Sequence, residues 1–422
     1  MGLSVIIYNA GIRLYRLGVG AAALMGNKKA KKWIDGRRNV WASLGGAMEG
    51  AGKVVWVHAA SLGEFEQGRP VMEAIRLQYP DYKLLLTFFS PSGYEVRKDY
   101  KGADYVCYLP LDTHTNARRF VKTVNPALSI FIKYEFWYHY LEALRHYQAP
   151  VLLISGIFRP GQVFFKSYGG MFRKLLRQME HIFLQNRDSV ALLQNIGVQH
   201  VTLAGDTRFD RVWELQKHPL ELPLIAQFCR DQRVLVAGST WDDDEAVLEE
   251  WWQAVPEGHH RLLIIAPHEI SDSHIARLKE RFPGSVSYSA LAAGNEAQAA
   301  KVLIIDNVGM LSALYRYADI TFVGGGFGKD GIHNLLEPAA YSKPVIIGPV
   351  YHKFHEAIML VELGGAMVIT NAQTLQTTVA MLENAEKYGQ KASIAGRFIE
   401  DNQGATERIM HYIQEKRFLT IV

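Results

Sequence analysis

From about Lys53 onward the chain keeps one rhythm, and that rhythm limits its fold more than any single motif does. Short apolar runs at Val54–His58, Leu84–Phe89, Tyr105–Leu109, Ala127–Ile132, Val151–Ile154 and Ile182–Leu184 are separated mostly by stretches with helical periodicity. A continuous apolar run too short for a helix reads as a strand buried on both faces. Strands alternating with helices build a parallel sheet covered on both sides. The rhythm pauses near Ala204-Gly205-Asp206-Thr207. It restarts at Val234–Ala237 and continues through Leu262–Ala266, Val302–Ile305, Ile320–Val323, Val345–Ile347 and Met367–Ile369. The expected class is therefore α/β, with two doubly wound domains joined near 205–225. We assign 41–210 to the first and 211–422 to the second, which closes with the helical stretches after Ala372. A separate segment, 1–40, precedes them. Ligands of open parallel sheets bind at the carboxyl ends of the strands, so two such domains facing each other across a cleft would each hold one substrate.

The most telling local segment follows the run Ile320–Val323. It reads Gly324-Gly325-Gly326-Phe327-Gly328-Lys329-Asp330-Gly331-Ile332-His333-Asn334-Leu335-Leu336-Glu337-Pro338. A glycine-rich turn between strand and helix lets a ligand approach the backbone and aims free N–H groups at it, which suits a phosphate or carboxylate. Glu337, one turn into the helix, is placed to accept the hydroxyls of a ribose. Together these features suggest a nucleotide-sugar site. Gly326-x-Gly328-x-x-Gly331 also matches the dinucleotide fingerprint formally. That fingerprint expects an acid roughly 20 residues on, whereas the next strand ends in Ile347-Gly348-Pro349 followed by Tyr351 and His352. A nicotinamide cofactor is not expected, nor any other.

With 422 residues and 49% hydrophobic content, the chain can bury two sizeable cores. Cys107 and Cys229 lie far apart without metal-type spacing, which argues against a disulfide framework or a cysteine zinc site and suggests a reducing compartment. The net charge is only +4, but residues 1–40 carry Arg13, Arg16, Lys28, Lys29, Lys31, Lys32, Arg37 and Arg38 against Asp35 alone. That is a local +7, leaving −3 for the rest. A globally basic nucleic-acid binder is disfavoured. The same segment is apolar: Leu3, Ile6, Ile7, Ala10, Leu14, Leu17, Ala21, Leu24 and Met25 recur at helical spacing, with Asn9, Arg13, Arg16 and Gly20 opposite. Two mid-segment arginines make a spanning helix expensive, and a signal peptide places its charges before its apolar stretch. A helix lying in the membrane interface, with the lysine cluster meeting anionic headgroups, fits better than one that merely packs on the protein.

A second segment, Trp56-Val57-His58-Ala59-Ala60-Ser61-Leu62-Gly63-Glu64-Phe65-Glu66, sits just past the first strand. Ser61-x-x-Glu64 matches a capping box, in which the two side chains satisfy helix N-terminal N–H groups, and spacing alone favours that role. The alternative makes Glu64 a general base for an attacking hydroxyl. His58, at the end of an apolar strand, reads as a hydrogen-bonded core residue. Trp251-Trp252 reads as packing. The run Asp242-Asp243-Asp244-Glu245 reads as the acidic first turn of a helix rather than a metal-bound diphosphate site.

His-Ala-Ala-Ser-Leu-Gly-Glu at 58–64 and Gly-Ile-His-Asn-Leu-Leu-Glu-Pro-Ala-Ala at 331–340 resemble the signature segments of the Kdo transferases. These are glycosyltransferases of the GT-B type, with two Rossmann-like domains, that act early in lipopolysaccharide synthesis. The resemblance extends over essentially the whole chain, including Glu135-Phe136-Trp137, Gly205-Asp206-Thr207-Arg208-Phe209-Asp210 and Gly348-Pro349. It implies inverting transfer of Kdo from CMP-Kdo to a lipid A precursor at the cytoplasmic face of the cell inner membrane, without a divalent metal. It makes Glu64 the catalytic base. It places the CMP donor on Ser239, Pro267, His268, Gly309, Met310, Leu311, Asn334, Leu335, Leu336 and Glu337. On the acceptor side it points to Ser61, Gly63, Glu135 and Arg159.

The chain departs from the family pattern in places. Pro267-His268-Glu269 stands where the family usually has Pro-Arg-His, so a phosphate-binding arginine is missing. Lys133 replaces an acid two before Glu135, and Tyr138 replaces the proline after the tryptophan. Ser155-Gly156-Ile157 stands for Asn-Ala-Arg, with Arg159 displaced by two. These changes should affect donor use little and bear on acceptor binding. Lys353 and His355 are candidates to reach the sugar carboxylate or phosphate. Two other classes stay open: a nucleotide-sugar epimerase on the same double-domain plan, which needs no membrane, and a non-catalytic membrane-surface sugar-nucleotide binder, which would tolerate loss of Glu64.

Overall fold

A computed structural model describes residues 2–230, 232–256, 261–294 and 300–420. It divides into two compact units, Met1–Asp210 with Gln403–Val422, and Arg211–Asn402. The first unit is built on a parallel sheet of β1 (Val54–Ala59), β2 (Lys83–Phe88), β3 (Tyr105–Tyr108), β4 (Pro126–Ile132), β5 (Val151–Gly156), β6 (His181–Leu184) and β7 (Val201–Leu203). Its strand order is β3-β2-β1-β4-β5-β6-β7. The second contains β8 (Arg233–Thr240), β9 (Arg261–Pro267), β10 (Val286–Ser287), β11 (Val302–Ile304), β12 (Ile320–Val323), β13 (Val345–Ile347) and β14 (Ala366–Val368). Here the order is β10-β11-β9-β8-β12-β13-β14.

All twelve expected strands are present, and the central ones are fully buried, as in β1. The apolar faces of the sheets meet helices on both sides. Trp56, Phe131 and Tyr140 pack in one layer of the first unit, and Val57, Phe65 and Leu86 in the other. Sequence reading missed β7 and β10. Both are edge strands, one of them two residues long, and β7 is partly exposed along its length. Neither carries an apolar run long enough to betray it.

The assignment of 211–422 to one domain is corrected at its end. The helix Ala405–Glu415 belongs to the first unit, where Ala405, Ile409, Met410 and Ile413 enter the core beside Val71 and Ile75. Asp210, the last residue of that unit's long segment, fixes this return. Its carboxylate accepts the backbone N–H groups of Gly404 and Thr406. Gly404 sits at φ 96°, a conformation glycine adopts without strain.

The N-terminal helix, Leu3–Leu24, carries two apolar stripes rather than one. Val5, Tyr8, Ile12 and Val19 lie on the buried side. Tyr8 donates to Asp112 at 2.5 Å, and His139 Nε2 lies 2.6 Å from Asn9 Oδ1. The stripe singled out from the sequence stays outside: Leu3, Ile6, Ile7, Leu14, Leu17, Leu24 and Met25 are all more than half exposed. The face opposite that stripe is therefore mainly Val5, Tyr8, Ile12 and Val19, with Asn9 and the two arginines flanking it. No helix among the described residues is long and apolar enough to cross a membrane.

Candidate active site

In the first unit, β1 ends at Ala59 and the helix Leu62–Gln78 starts at Ser61. The expected capping box is not formed: Ser61 makes no side-chain cap. Its hydroxyl instead donates to the Glu64 carboxylate, so the pair is turned toward each other and away from the helix end. Glu64 is half-buried and Gly63 is exposed. A Cβ at Gly63 would meet only Ser61 Oγ, at 3.9 Å, so packing does not demand glycine there. The neighbouring acids are engaged. Glu66 pairs with Arg97 at 2.7 Å and Arg69 at 3.9 Å.

Glu135 is buried and tied to His58, as core histidine reading of His58 requires. His58 Nε2 and Trp137 Nε1 lie 3.0 and 2.6 Å from Glu135 Oε2. On the other side of the ring, Thr87 Oγ1 lies 2.8 Å from His58 Nδ1 and accepts from Trp56 Nε1 at 2.8 Å. This chain of donors crosses β1 and β2 and holds the Glu135 carboxylate at the wall of a pocket of about 560 Å³. Tyr8, Ile12, Phe136, Phe164 and Phe172 give the pocket an apolar lining, and Arg159 supplies its cation. Burial pushes the Tyr134 hydroxyl up, Arg159 lowers it and Glu64 raises it, so Tyr134 lies within the field of both charges.

In the second unit, four loops at the carboxyl ends of β8, β9, β12 and β13 interlock. A Cβ at Gly324 would fall 2.4 Å from Ser239 O, and one at Gly326 would fall 2.6 Å from Gly348 N. These glycines are demanded by backbone packing against backbone. Ser239 itself sits at φ 55°. The expected free N–H groups of the glycine turn are in large part spent. Gly324 N donates to Gly238 O at 2.9 Å, Gly328 N to Gly325 O at 3.1 Å, and Gly325 N to Asp244 Oδ2 at 2.7 Å. The same Asp244 oxygen accepts Trp241 N at 2.9 Å. Asp244 is fully buried, and burial pushes its carboxyl up to about 6.

Asp242 and Glu245 of the acidic run are also engaged within the fold. Asp242, Glu245 and His274 place ligand-type atoms within 4.8 Å of one another. Glu245 meets Thr240 Oγ1 at 2.9 Å and His274 Nε2 at 3.0 Å, while Arg277 reaches Asp242 at 3.4 Å. These carboxylates are held by cationic and polar side chains of their own unit.

Three rings from three loops stack beside the glycine turn. Trp241 and His268 have centroids 4.7 Å apart, and His268 and His333 4.2 Å. Trp241 Nε1 donates to His333 Nε2 at 2.8 Å. Indole N–H only donates, so His333 Nε2 must be unprotonated and the ring proton lies on Nδ1. Burial and the adjacent His268 hold His333 down to about 4, so it is neutral at physiological pH. A few residues on, Asn334 Nδ2 donates to Glu337 Oε1 at 3.1 Å and Asn334 Oδ1 accepts Leu336 N at 3.2 Å.

Comparison with known proteins finds sequence similarity to one enzyme family and a likeness of fold to another. Residues 34–211 match the family model of 3-deoxy-D-manno-octulosonic-acid transferase (kdotransferase). The 3-deoxy-D-manno-octulosonic acid transferase of Haemophilus influenzae is 27% identical over 85% of this chain and 86% of its own length. That of Aquifex aeolicus is 27% identical over 79% and 87%. By sequence the chain is similar to the Kdo transferases. The UDP-GlcNAc 2-epimerase of Neisseria meningitidis, solved with UDP-GlcNAc bound, superposes with a TM-score of 0.59 at 15% identity. It covers 86% of this chain and 100% of that one, a likeness of fold alone.

Several residues named from the sequence present their side chains differently from expectation. Leu335 and Leu336 are buried in the core of the second unit, and Met310 is buried at 5% exposure. None of these three side chains is open to a ligand, so any contact they make runs through backbone. The reason is local: Leu336–Ala340 and Leu311–Leu314 are helices of five and four residues that turn most of their apolar side chains inward. Pro267 closes β9 and is buried, whereas His268, Asn334 and Arg159 are exposed and Ser239, Leu311 and Glu337 half-buried. Gly309 sits at φ 99°. Lys353 donates to Lys329 O at 3.0 Å, which ties it to the glycine turn. The roles of Asp244, Trp241 and the His58–Glu135 pair were missed. Asp244 was visible only as one acid among four, and nothing in its spacing distinguishes a buried lock from a solvated first turn.

Proposed function

We propose that this transferase moves Kdo from CMP-Kdo to a hydroxyl of a lipid A precursor in lipopolysaccharide core synthesis, with inversion at the anomeric carbon. Glu64 is the base. It takes the proton of the acceptor hydroxyl as that oxygen bonds to the anomeric carbon and the bond to the CMP phosphate oxygen breaks. The observation that carries this assignment is the state of the three neighbouring acids. Glu66 is neutralised by two arginines and Glu135 is bound by His58 and Trp137, while Glu64 is half-exposed and oriented by a serine hydroxyl. Ser61 thus acts as a positioning residue. Arg159 and Tyr134 line the acceptor side, where the apolar pocket beside Tyr8 and Ile12 suits part of a lipid.

For the donor, Asn334 and Glu337 would meet the CMP ribose and phosphate, with Ser239, His268, Gly309 and Leu311 around them. None of these donor residues is a fixed cation: the family's arginine is absent, and burial holds His333 neutral beside them. The membrane contact would be the exposed stripe Leu3, Ile6, Ile7, Leu14, Leu17 and Leu24, flanked by Arg13, Arg16, Lys28, Lys29 and Lys31. An amphipathic helix with basic flanks lies in an anionic headgroup layer, here the cytoplasmic face of the inner membrane. Arg37 takes no part in that contact. It is enclosed by Trp33, Phe89 and Tyr108 and bonded to three backbone carbonyls.

The test is product analysis after mixing the chain with CMP-Kdo and a tetra-acylated lipid A precursor. Release of CMP together with a Kdo-extended lipid supports the reading. Free Kdo alone, or an isomerised sugar nucleotide, would replace it.

A further inference from the structure

The second unit carries a basic pocket on the side of its sheet away from the loops just described. It has a volume of about 520 Å³ and lies where α/β strands begin: at the start of β8, before β12 and before β13. Arg230, Arg233, Arg316 and Lys343 line it, against one carboxylate among the described residues, Asp319. These three strands are neighbours in the sheet, so the four cations converge although they come from four points in the chain.

Among the described residues the charges are only partly balanced. Asp319 Oδ2 accepts the backbone N–H of Val234 at 2.8 Å, which fixes it to the sheet. Arg316 pairs with exposed Glu221 at 2.8 Å. Arg230, Arg233 and Lys343 have no ion-pair or side-chain hydrogen-bond partner among the described residues. Lys343 is half-buried; burial lowers its ammonium pKa, and the opposing pull of Asp319 does not make up the difference. Arg230 is held at φ 46°, outside the region ordinary side chains prefer. Like charges gathered around a polar cavity, one of them partly desolvated, repel each other unless an anion joins them.

We propose that this pocket is a second binding site, for a phosphate-bearing anion, distinct from the donor loops at the opposite ends of the same strands. Arginine forks match phosphate oxygens in pairs and lysine adds a compact charge. The cavity falls within the range of small-ligand sites, about 300–1,000 Å³, and exceeds what a single chloride needs. The ligand chemistry is a phosphomonoester or pyrophosphate, whether carried by a soluble metabolite or by a phospholipid headgroup.

Titration calorimetry of the full chain with inorganic pyrophosphate, in saturating CMP to occupy the donor loops, tests this. We expect saturable binding that weakens with salt and falls at least tenfold in the double variant Arg230→Gly, Lys343→Met. Glycine accepts the positive φ of position 230, so the backbone there is relieved while the guanidinium is removed. Unchanged CMP affinity shows that the unit is folded, and Arg230→Lys should keep most of the binding. If the double variant does not fold, Lys343→Met alone is expected to weaken pyrophosphate severalfold. Loss of the pyrophosphate signal on adding phosphatidylglycerol vesicles, but not phosphatidylcholine vesicles, identifies the headgroup as the source. Retention of the signal identifies a soluble phosphate. Absence of binding in the unmodified chain, or binding indifferent to both variants, overturns the proposal.

Discussion

Replacing Asp244 with alanine removes an acceptor of backbone N–H groups, among them Gly325 at 2.7 Å and Trp241 at 2.9 Å. A buried donor left unpaired costs roughly 1–3 kcal/mol, so the pair costs about 2–6 kcal/mol. An opposing effect depends on pH. Burial raises this carboxyl from 3.8 to about 6, so ionising it at neutral pH costs the folded state about 3 kcal/mol, at about 1.36 kcal/mol per pH unit. Since the folded value lies above the unfolded one, the stability linked to this proton is fully present below pH 3.8. It is lost as pH rises through about 6. Alanine has no proton to follow. The deficit of the variant should therefore be largest near pH 4 and shrink by about 3 kcal/mol by pH 7, with about half of that change already reached at pH 5. Urea unfolding at pH 5 and pH 7.5, followed by amide hydrogen exchange in β8 and β9, measures it. A deficit that grows with pH would mean that the ionised carboxylate stabilises the loops, contrary to the argument from burial.

Gly326→Ala should destabilise the second unit by more than about 2 kcal/mol, since its Cβ would fall 2.6–2.7 Å from the Gly348 backbone. Gly63→Ala, with nothing closer than 3.9 Å, should leave thermal stability unchanged, and equal melting shifts in the two variants would defeat the packing argument. Glu337→Ala should weaken CMP binding by about 1–3 kcal/mol in calorimetry; unchanged affinity removes Glu337 from the donor site. Deleting residues 1–26 should lower pelleting with anionic vesicles, salt-sensitively, while CMP affinity holds. Equal pelleting with and without the segment would leave the exposed stripe without a membrane role.

Much of the fold was legible because buried parallel strands announce themselves as unbroken apolar runs, and all twelve such runs proved to be strands. The final helix was misassigned because its partner in the first unit, Asp210, lies nearly two hundred residues away, and no local pattern records that pairing. Ser61-x-x-Glu64 shows the limit of spacing. It fits a capping box and a paired hydroxyl–carboxylate equally well, and only side-chain torsions decide between them. The glycine turn was located correctly, but its N–H groups were assigned to a ligand when Asp244, 81 positions earlier, takes one of them. The N-terminal helix was read with one apolar face because its second stripe, Val5 to Val19, is broken by polar Tyr8. That tyrosine donates to buried Asp112, a contact that helical periodicity does not reveal.

The assignment of Glu64 is tested most directly by the turnover of Glu64→Gln. The amide oxygen still accepts from the Ser61 hydroxyl, so folding and CMP affinity should be unchanged. An amide cannot take the acceptor proton, so turnover should fall about 10²–10⁴-fold, with apparent substrate affinities little altered. A folded Glu64→Gln protein that transfers Kdo at close to the normal rate would contradict the account.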